Sequence, residues 1–286
     1  MTREPQQTLE PVINLTAQWR RSGAWLYPAW ALLCGILATG QFQFNGGQIA
    51  NALVALILAA GLWPALWAAL AGTDWREPLA RWRAWSGGAP VKALPYTQPG
   101  SPSAKFSILL GQCRDWLARD LLPEYGNALV SIVAAPLVAL ILAALLGAPA
   151  VFLTILAICI PQAAALQSGG NGSPNALLRG LLEITLPMLV GVALLAPVSA
   201  SMVVVAVGFG VALAGATGNG DRAAIRAWNL GQAAVFVLLV LTRHSVGAFA
   251  VGLLWLPQFL LQARPDAHRA PWWLMASLLV AAVAIG

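Results

Sequence analysis

Three clusters of polar residues stand out in an otherwise apolar chain, and each holds groups whose types and spacing can do chemistry. The stretch Gly72-Thr73-Asp74-Trp75-Arg76-Glu77-Pro78-Leu79-Ala80-Arg81 brings together two carboxylates and two guanidiniums. Asp74 and Glu77 are three apart, so on a helix they share a face and offer hard oxygen ligands to a divalent cation. Acids at a helix start also serve as caps and partners of the helix dipole, and that reading stays open. The stretch Ala216-Thr217-Gly218-Asn219-Gly220-Asp221-Arg222 is glycine-rich and ends on an acid–base pair. Its backbone N–H groups can cradle phosphate oxygens; a plain flexible turn is the other reading. Arg179 and Glu183 fall four residues apart inside an apolar segment, where ionisable groups are costly. They can line a polar cavity for an anionic or hydroxylated ligand. Alternatively Arg179 snorkels to the nearby surface and simply partners Glu183, with arginine first being the weaker order for such a pair.

Other reactive residues are dispersed. Cys34, Cys113 and Cys159 make no ligand-spaced cluster, so neither a disulfide frame nor a zinc site is expected. His244 and His268 each stand beside an arginine at a segment end, as ordinary interfacial residues or as isolated pigment or metal ligands. Nucleotide-loop, metalloprotease, serine-hydrolase and haem-attachment patterns are all missing from the sequence.

The elements that must hold these residues are set by composition. Of 286 residues, 59% are hydrophobic and 9% charged, whereas soluble domains carry about 25% charged residues. A water-facing surface cannot be built from so few, so an all-α, polytopic membrane protein is expected. The apolar stretches 24–40, 49–72, 126–147, 149–166, 177–197, 198–216, 229–242, 245–262 and 271–286 predict about nine spans in one transmembrane domain over 1–286. Pro64 predicts a kink in the second, and little chain separates the fifth from the sixth or the seventh from the eighth. Residues 1–23 are polar and the first span lacks a small-residue cleavage site, so no cleavable leader is expected.

Nine alternating spans put every lysine and arginine except Arg243 on one face. Positive charge is retained in the cytoplasm, which predicts a bacterial inner-membrane protein with a cytoplasmic N-terminus. The net charge of +6 then reflects topology and anionic lipid headgroups rather than nucleic acid. Trp25, Trp30, Trp75, Trp272 and Trp273 fall at or near span ends, as interface anchors do. Residues 73–125 form the long cytoplasmic loop. Within it Phe106, Leu109, Leu110, Cys113, Trp116, Leu117 and Leu121 recur at helical spacing, opposite Lys105, Gln112, Arg114, Asp115 and Arg119. This predicts an amphipathic helix at the membrane surface or over a cavity mouth, with Asp115 and Arg119 paired.

With its span count, orientation and two polar cytoplasmic loops, the chain resembles the UbiA superfamily of intramembrane prenyltransferases across most of its length. In that family the two loops carry N-D-x-x-D-x-x-x-D and D-x-x-x-D motifs, whose aspartates hold Mg²⁺ and through it an isoprenoid diphosphate. Here Thr73, Asp74, Glu77 and Arg81 fall on the first motif, so an arginine replaces its last aspartate. Gly220-Asp221-Arg222 and Leu230-Gly231 look like the stretch trailing the second motif, whose aspartates would fall at Leu213 and Thr217. The resemblance implies a UbiA-like helical bundle and Mg²⁺ as cofactor, with Asp74 and Glu77 as the remaining metal ligands. It implies Arg76, Arg81 and Arg222 as phosphate-gripping residues, beside Asn219 and Asp221 of the second loop. Two functions follow. One is prenyl transfer from an isoprenoid diphosphate inside a lipid-open cavity facing the cytoplasm. The other is a non-catalytic descendant that keeps the cavity for a lipid, quinone or pigment tail, or serves as a subunit of a membrane complex. A transporter is the third class, without a clear inverted repeat or buried proton relay to recommend it.

Overall fold

In a computed structural model, residues 25–89, 91, 98, 100–167, 175–218, 222–260 and 270–286 are described. Among them every regular element is helical. A chain this apolar has to satisfy its backbone N–H and C=O groups within each segment, and the helix does so residue by residue. The elements are α1 (Leu26–Leu37), α2 (Gly46–Leu70), α3 (Arg76–Ala84), α4 (Pro102–Leu146) and α5 (Ala148–Gln167), followed by α6 (Ala176–Ala193) and α7 (Ala200–Thr217). The chain continues through α8 (Arg222–Leu241), α9 (Ser245–Leu260) and α10 (Ala270–Ile285). Each apolar stretch expected from hydropathy contains one helix. Six of them, α2 and α4 to α8, are long and apolar enough to cross a membrane, while α1, α9 and α10 are apolar but shorter.

Side-chain caps start several helices. Asn45, Ser101, Asn175 and Ser199 accept from the backbone N–H of Gln48, Ala104, Leu177 and Met202, respectively. Prolines then shape the helix interiors. The turns Ile57–Leu62, Leu117–Leu121 and Leu181–Thr185 widen to π geometry, each just before a proline: Pro64, Pro123 or Pro187. A proline ring crowds the carbonyl four residues back and donates no hydrogen bond to it. Those carbonyls belong to Ala60, Arg119 and Glu183, all within the wide turns, and the extra residue gives the ring room. Widening thus replaces the simple kink expected at Pro64. Between α4 and α5 the reversal takes one residue, Gly147, at φ 110° and ψ 174°, a conformation open essentially only to glycine.

The same logic revises the long loop. A surface helix separate from the third span is expected from sequence; instead residues 102–121 run directly into it as one 45-residue helix. At about 1.5 Å per residue that is roughly 68 Å, more than twice a hydrocarbon core of about 30 Å. The N-terminal part of α4 carries α3 and the extended chain after it. Trp82 stacks near Trp116 with ring centroids 5.2 Å apart. Gly88 passes over the backbone of Gly111, and Ser107 donates its hydroxyl to the Val91 carbonyl. Trp116 and Leu121 are therefore buried, while Phe106, Leu109, Leu110 and Leu117 of the expected apolar face stay exposed along with Cys113.

Glycines let the central helices approach at backbone distance. Gly35 of α1 lies against the Met188 carbonyl of α6, and Gly191 of α6 against the Leu32 carbonyl of α1. Across α7, Gly210 meets Gly180 of α6 while Gly208 meets Gly231 of α8, so α7 is gripped on two faces. Trp30 donates from Nε1 to the Met275 carbonyl at 2.9 Å, joining α1 to α10 rather than anchoring at an interface. Trp63, Phe209, Leu32, Met188 and Leu278 fill the core; Val133, Ile141, Leu145, Phe152 and Leu253 face outward, as lipid-contacting side chains do.

Candidate functional site

Arg179 and Glu183 come together as their spacing suggests. Arg179 donates from Nε to Glu183 Oε1 at 2.7 Å. Asn175 starts the helix, and the wide turn Leu181–Thr185 ahead of Pro187 carries Glu183 inward. Glu183 is only 5% exposed, among Leu182, Ile184 and the buried faces of α1 and α7. Thr185, two residues on, donates to the Ala206 carbonyl and pins this turn to α7. The Tyr27 phenol of α1 lies within electrostatic reach of both members of the pair. Glu183 Oε2 is buried without a hydrogen-bond partner among the described residues. The terminal nitrogens of Arg179 make no described contact either, and its side chain remains 36% exposed. The arrangement can hold one anion or hydroxyl-bearing group at the guanidinium while the carboxylate fixes the arginine's direction.

The first polar loop is built differently from a metal centre. Asp74 Oδ1 accepts from the backbone N–H of Arg76 at 3.0 Å and so caps the turn leading into α3. Glu77 sits in the first turn of α3 and Arg76 is exposed beside it. Arg81 reaches across to α4: its Nη2 donates to Glu124 Oε2 at 2.6 Å, and its Nε lies 3.4 Å from Asp120 Oδ2 as an ion pair without hydrogen-bond alignment. The hydrogen bond to Glu124 first, and the charges of Asp120, Glu124 and Glu77 after it, hold the Arg81 guanidinium above the ordinary arginine pKa. Arg81 also lies 5.8 Å from the centroid of the Tyr125 ring, which in turn meets Trp75. Where the resemblance expects a carboxylate, the chain thus places a cation among carboxylates. Among the described residues no group of three or more His, Cys, Asp or Glu is placed to hold a metal ion.

Asp115 and Arg119 pair at 2.7 Å on α4, as expected, with Arg119 exposed and Asp115 largely covered beside Gly87. Arg222 begins α8 as an exposed residue. Asn219 and Asp221 of the second loop, like His268, lie outside the described residues. Sequence reasoning missed Asp120, Glu124, Tyr125 and Tyr27. The first two are four apart on α4, a usable signal, but their partner Arg81 is 43 residues from Glu124 and no local spacing reveals it. Comparison of the chain with family models, with curated proteins and with solved structures found no match.

Proposed function

We propose that this chain is a nine-pass, UbiA-like inner-membrane protein with a cytoplasmic N-terminus. In this reading it binds an isoprenoid or other lipid-tailed ligand on its cytoplasmic half, in the manner of an intramembrane prenyltransferase. The observation that carries the reading is the Arg179–Glu183 pair: a guanidinium with free donors, held in place by a buried carboxylate inside an apolar bundle. Such an arrangement suits a ligand with an anionic or hydroxylated head and an apolar tail. The charge asymmetry supports the orientation, since Arg243 alone stands apart from the remaining lysines and arginines.

Within this reading, non-catalytic binding or service as a subunit of a membrane complex is favoured over prenyl transfer by one observation. The Arg81 guanidinium pairs with Glu124 and Asp120 at 2.6 and 3.4 Å, so the carboxylates of α4 that face the first loop are already engaged by the chain's own cation. If transfer does occur, Asp74 and Glu77 are the residues to hold Mg²⁺, and Arg76 and Arg222 to meet phosphate.

Two measurements on purified protein decide between these. Mass spectrometry after gentle extraction is expected to find one lipid-tailed molecule per chain, depleted in Arg179→Ala. Incubation with Mg²⁺ and geranyl, farnesyl or geranylgeranyl diphosphate is expected to release no diphosphate. Release that Asp74→Ala abolishes would establish the enzyme instead. A chain that neither retains a ligand nor releases diphosphate would sink the binding reading altogether.

A further inference from the structure

A concavity lies where α8 turns into α9 beside the end of α10. It encloses about 590 Å³, within the roughly 300–1,000 Å³ of ligand-binding clefts. Arg243, His244 and Ser245 form its rim, and Ala250, Leu279 and Val283 belong to its apolar wall. Gly247 and Ala284 bring α9 and α10 into contact at its base. Gly286 lies against Gly40, so the cleft opens at the end of the bundle where α1 finishes.

The rim is made in an unusual way. Helix α8 closes with the His244 N–H on the Leu239 carbonyl and the Arg243 N–H on the Val240 carbonyl. This closure demands a left-handed residue, usually glycine, and the chain supplies Arg243 at φ 63°. It is the sole non-glycine residue with positive φ among those described. Helix α9 starts at once, with its first backbone bond from Ala248 to the His244 carbonyl, leaving the N–H groups of Ser245, Val246 and Gly247 outside the helical ladder. An arginine, an imidazole, a hydroxyl and the positive end of a 16-residue helix therefore meet at one mouth. Neither Arg243 nor His244 has a side-chain partner among the described residues. No acid adjoins them in sequence, the nearest after Arg243 being Asp266.

The geometry points to a binding site for one anionic phospholipid of the leaflet opposite the N-terminus, its phosphate on Arg243 and the start of α9 and an acyl chain along the α9–α10 cleft. Charge complementarity selects the occupant. A rim that carries the Arg243 guanidinium and the start of α9, with no Asp or Glu among its lining residues, suits a net-negative head, whereas a choline head would bring a second cation to the guanidinium. The apolar wall beside the rim includes Val246, Ala250, Leu279 and Val283, a surface on which an acyl chain can pack. The choice of leaflet rests on the nine-pass orientation proposed above; the site itself is independent of the Arg179 site, and either can fail alone.

The decisive variant is Arg243→Gly, which removes the cation while supplying the residue that a φ of 63° favours, so its fold is expected to be at least as stable. Full-length protein is placed in nanodiscs of phosphatidylcholine with or without phosphatidylglycerol. Native mass spectrometry then counts retained lipids, and thermal unfolding is followed alongside. Wild type is expected to retain one phosphatidylglycerol after activation and to melt several degrees higher with that lipid. Arg243→Gly should lose both effects while matching or exceeding wild type in phosphatidylcholine. Arg243→Lys should recover part of them. Equal phosphatidylglycerol retention and equal shifts in wild type and Arg243→Gly would overturn the assignment. So would inorganic phosphate reproducing the full shift in phosphatidylcholine, which would make the mouth a free-anion site.

Discussion

Arg179 and Glu183 show how a side-chain pair can be legible while its setting is not. Their separation by four on one apolar segment was enough to bring them together, and Asp115 and Arg119 follow the same rule. What spacing could not give is the asymmetry between the partners: Glu183 is buried by the wide turn before Pro187, whereas Arg179 keeps partial exposure. Removing the arginine therefore strands a carboxylate in the bundle. A fully buried pair broken this way costs about 3–5 kcal/mol; the half-open position of Arg179 lowers the expectation for Arg179→Ala to about 1–3 kcal/mol. Thermal melting in detergent should show that loss, and Glu183→Gln should cost less, since the amide needs no counter-charge. The Arg81 contacts are a different case. Because they cross between α3 and α4, Arg81→Ala is expected to free α3 from α4 and to speed tryptic cleavage after Arg83, with little change in the melting of the remaining bundle. Unchanged cleavage would show that Trp82 and Trp116 hold α3 without it.

At the level of elements, hydropathy located the nine apolar helices among the described residues, because burial in an apolar medium and internal hydrogen bonding impose the same requirement on each stretch, whereas the charged α3 gave no such signal. Boundaries were less legible wherever proline intervened. The amphipathic segment and the third span are expected as separate helices, yet a π turn at Leu117–Leu121, just before Pro123, lets one helix pass through both. The glycines carry the other constraints. Gly147 at φ 110° meets open space, its nearest foreign atom being Pro149 Cδ at 3.9 Å, so Gly147→Ala is penalised by backbone conformation alone, by about 1–3 kcal/mol. Gly35→Leu acts by the opposite route. Its backbone is ordinary helix, but any Cβ runs into the Met188 carbonyl, so α1 and α6 must separate. The expected cost is at least about 3 kcal/mol, the upper range for overpacking. Measured in one detergent, the two variants should differ in a second respect: disulfide trapping between α1 and α6 should weaken in Gly35→Leu and persist in Gly147→Ala.

For the whole molecule, the distribution of charge is the most legible property and the easiest to test. The native cysteines provide the probe, since Cys113 is exposed on the N-terminal part of α4 while Cys34 is buried. A membrane-impermeant maleimide is expected to label Cys113 in inverted vesicles and to spare it in intact spheroplasts. Labelling in spheroplasts would reverse the orientation and remove the basis for placing Asp74, Glu77 and Arg81 in the cytoplasm. The candidate site was less readable at this scale, because neither polar loop carries a motif complete enough to specify its chemistry. Arg81 stands where a carboxylate is expected, and its pairing with Glu124 and Asp120 emerges only once α3 lies on α4.

The single-residue reversal at Gly147 has a consequence for biogenesis. With one glycine joining α4 to α5, there is no polar connector that could wait in water while one helix enters the bilayer alone. The two helices must leave the translocon side by side, as a preformed hairpin whose tip carries no charge across. An insertion of charged residues at that tip should therefore disturb the assembly of both helices together, rather than of whichever one emerges second.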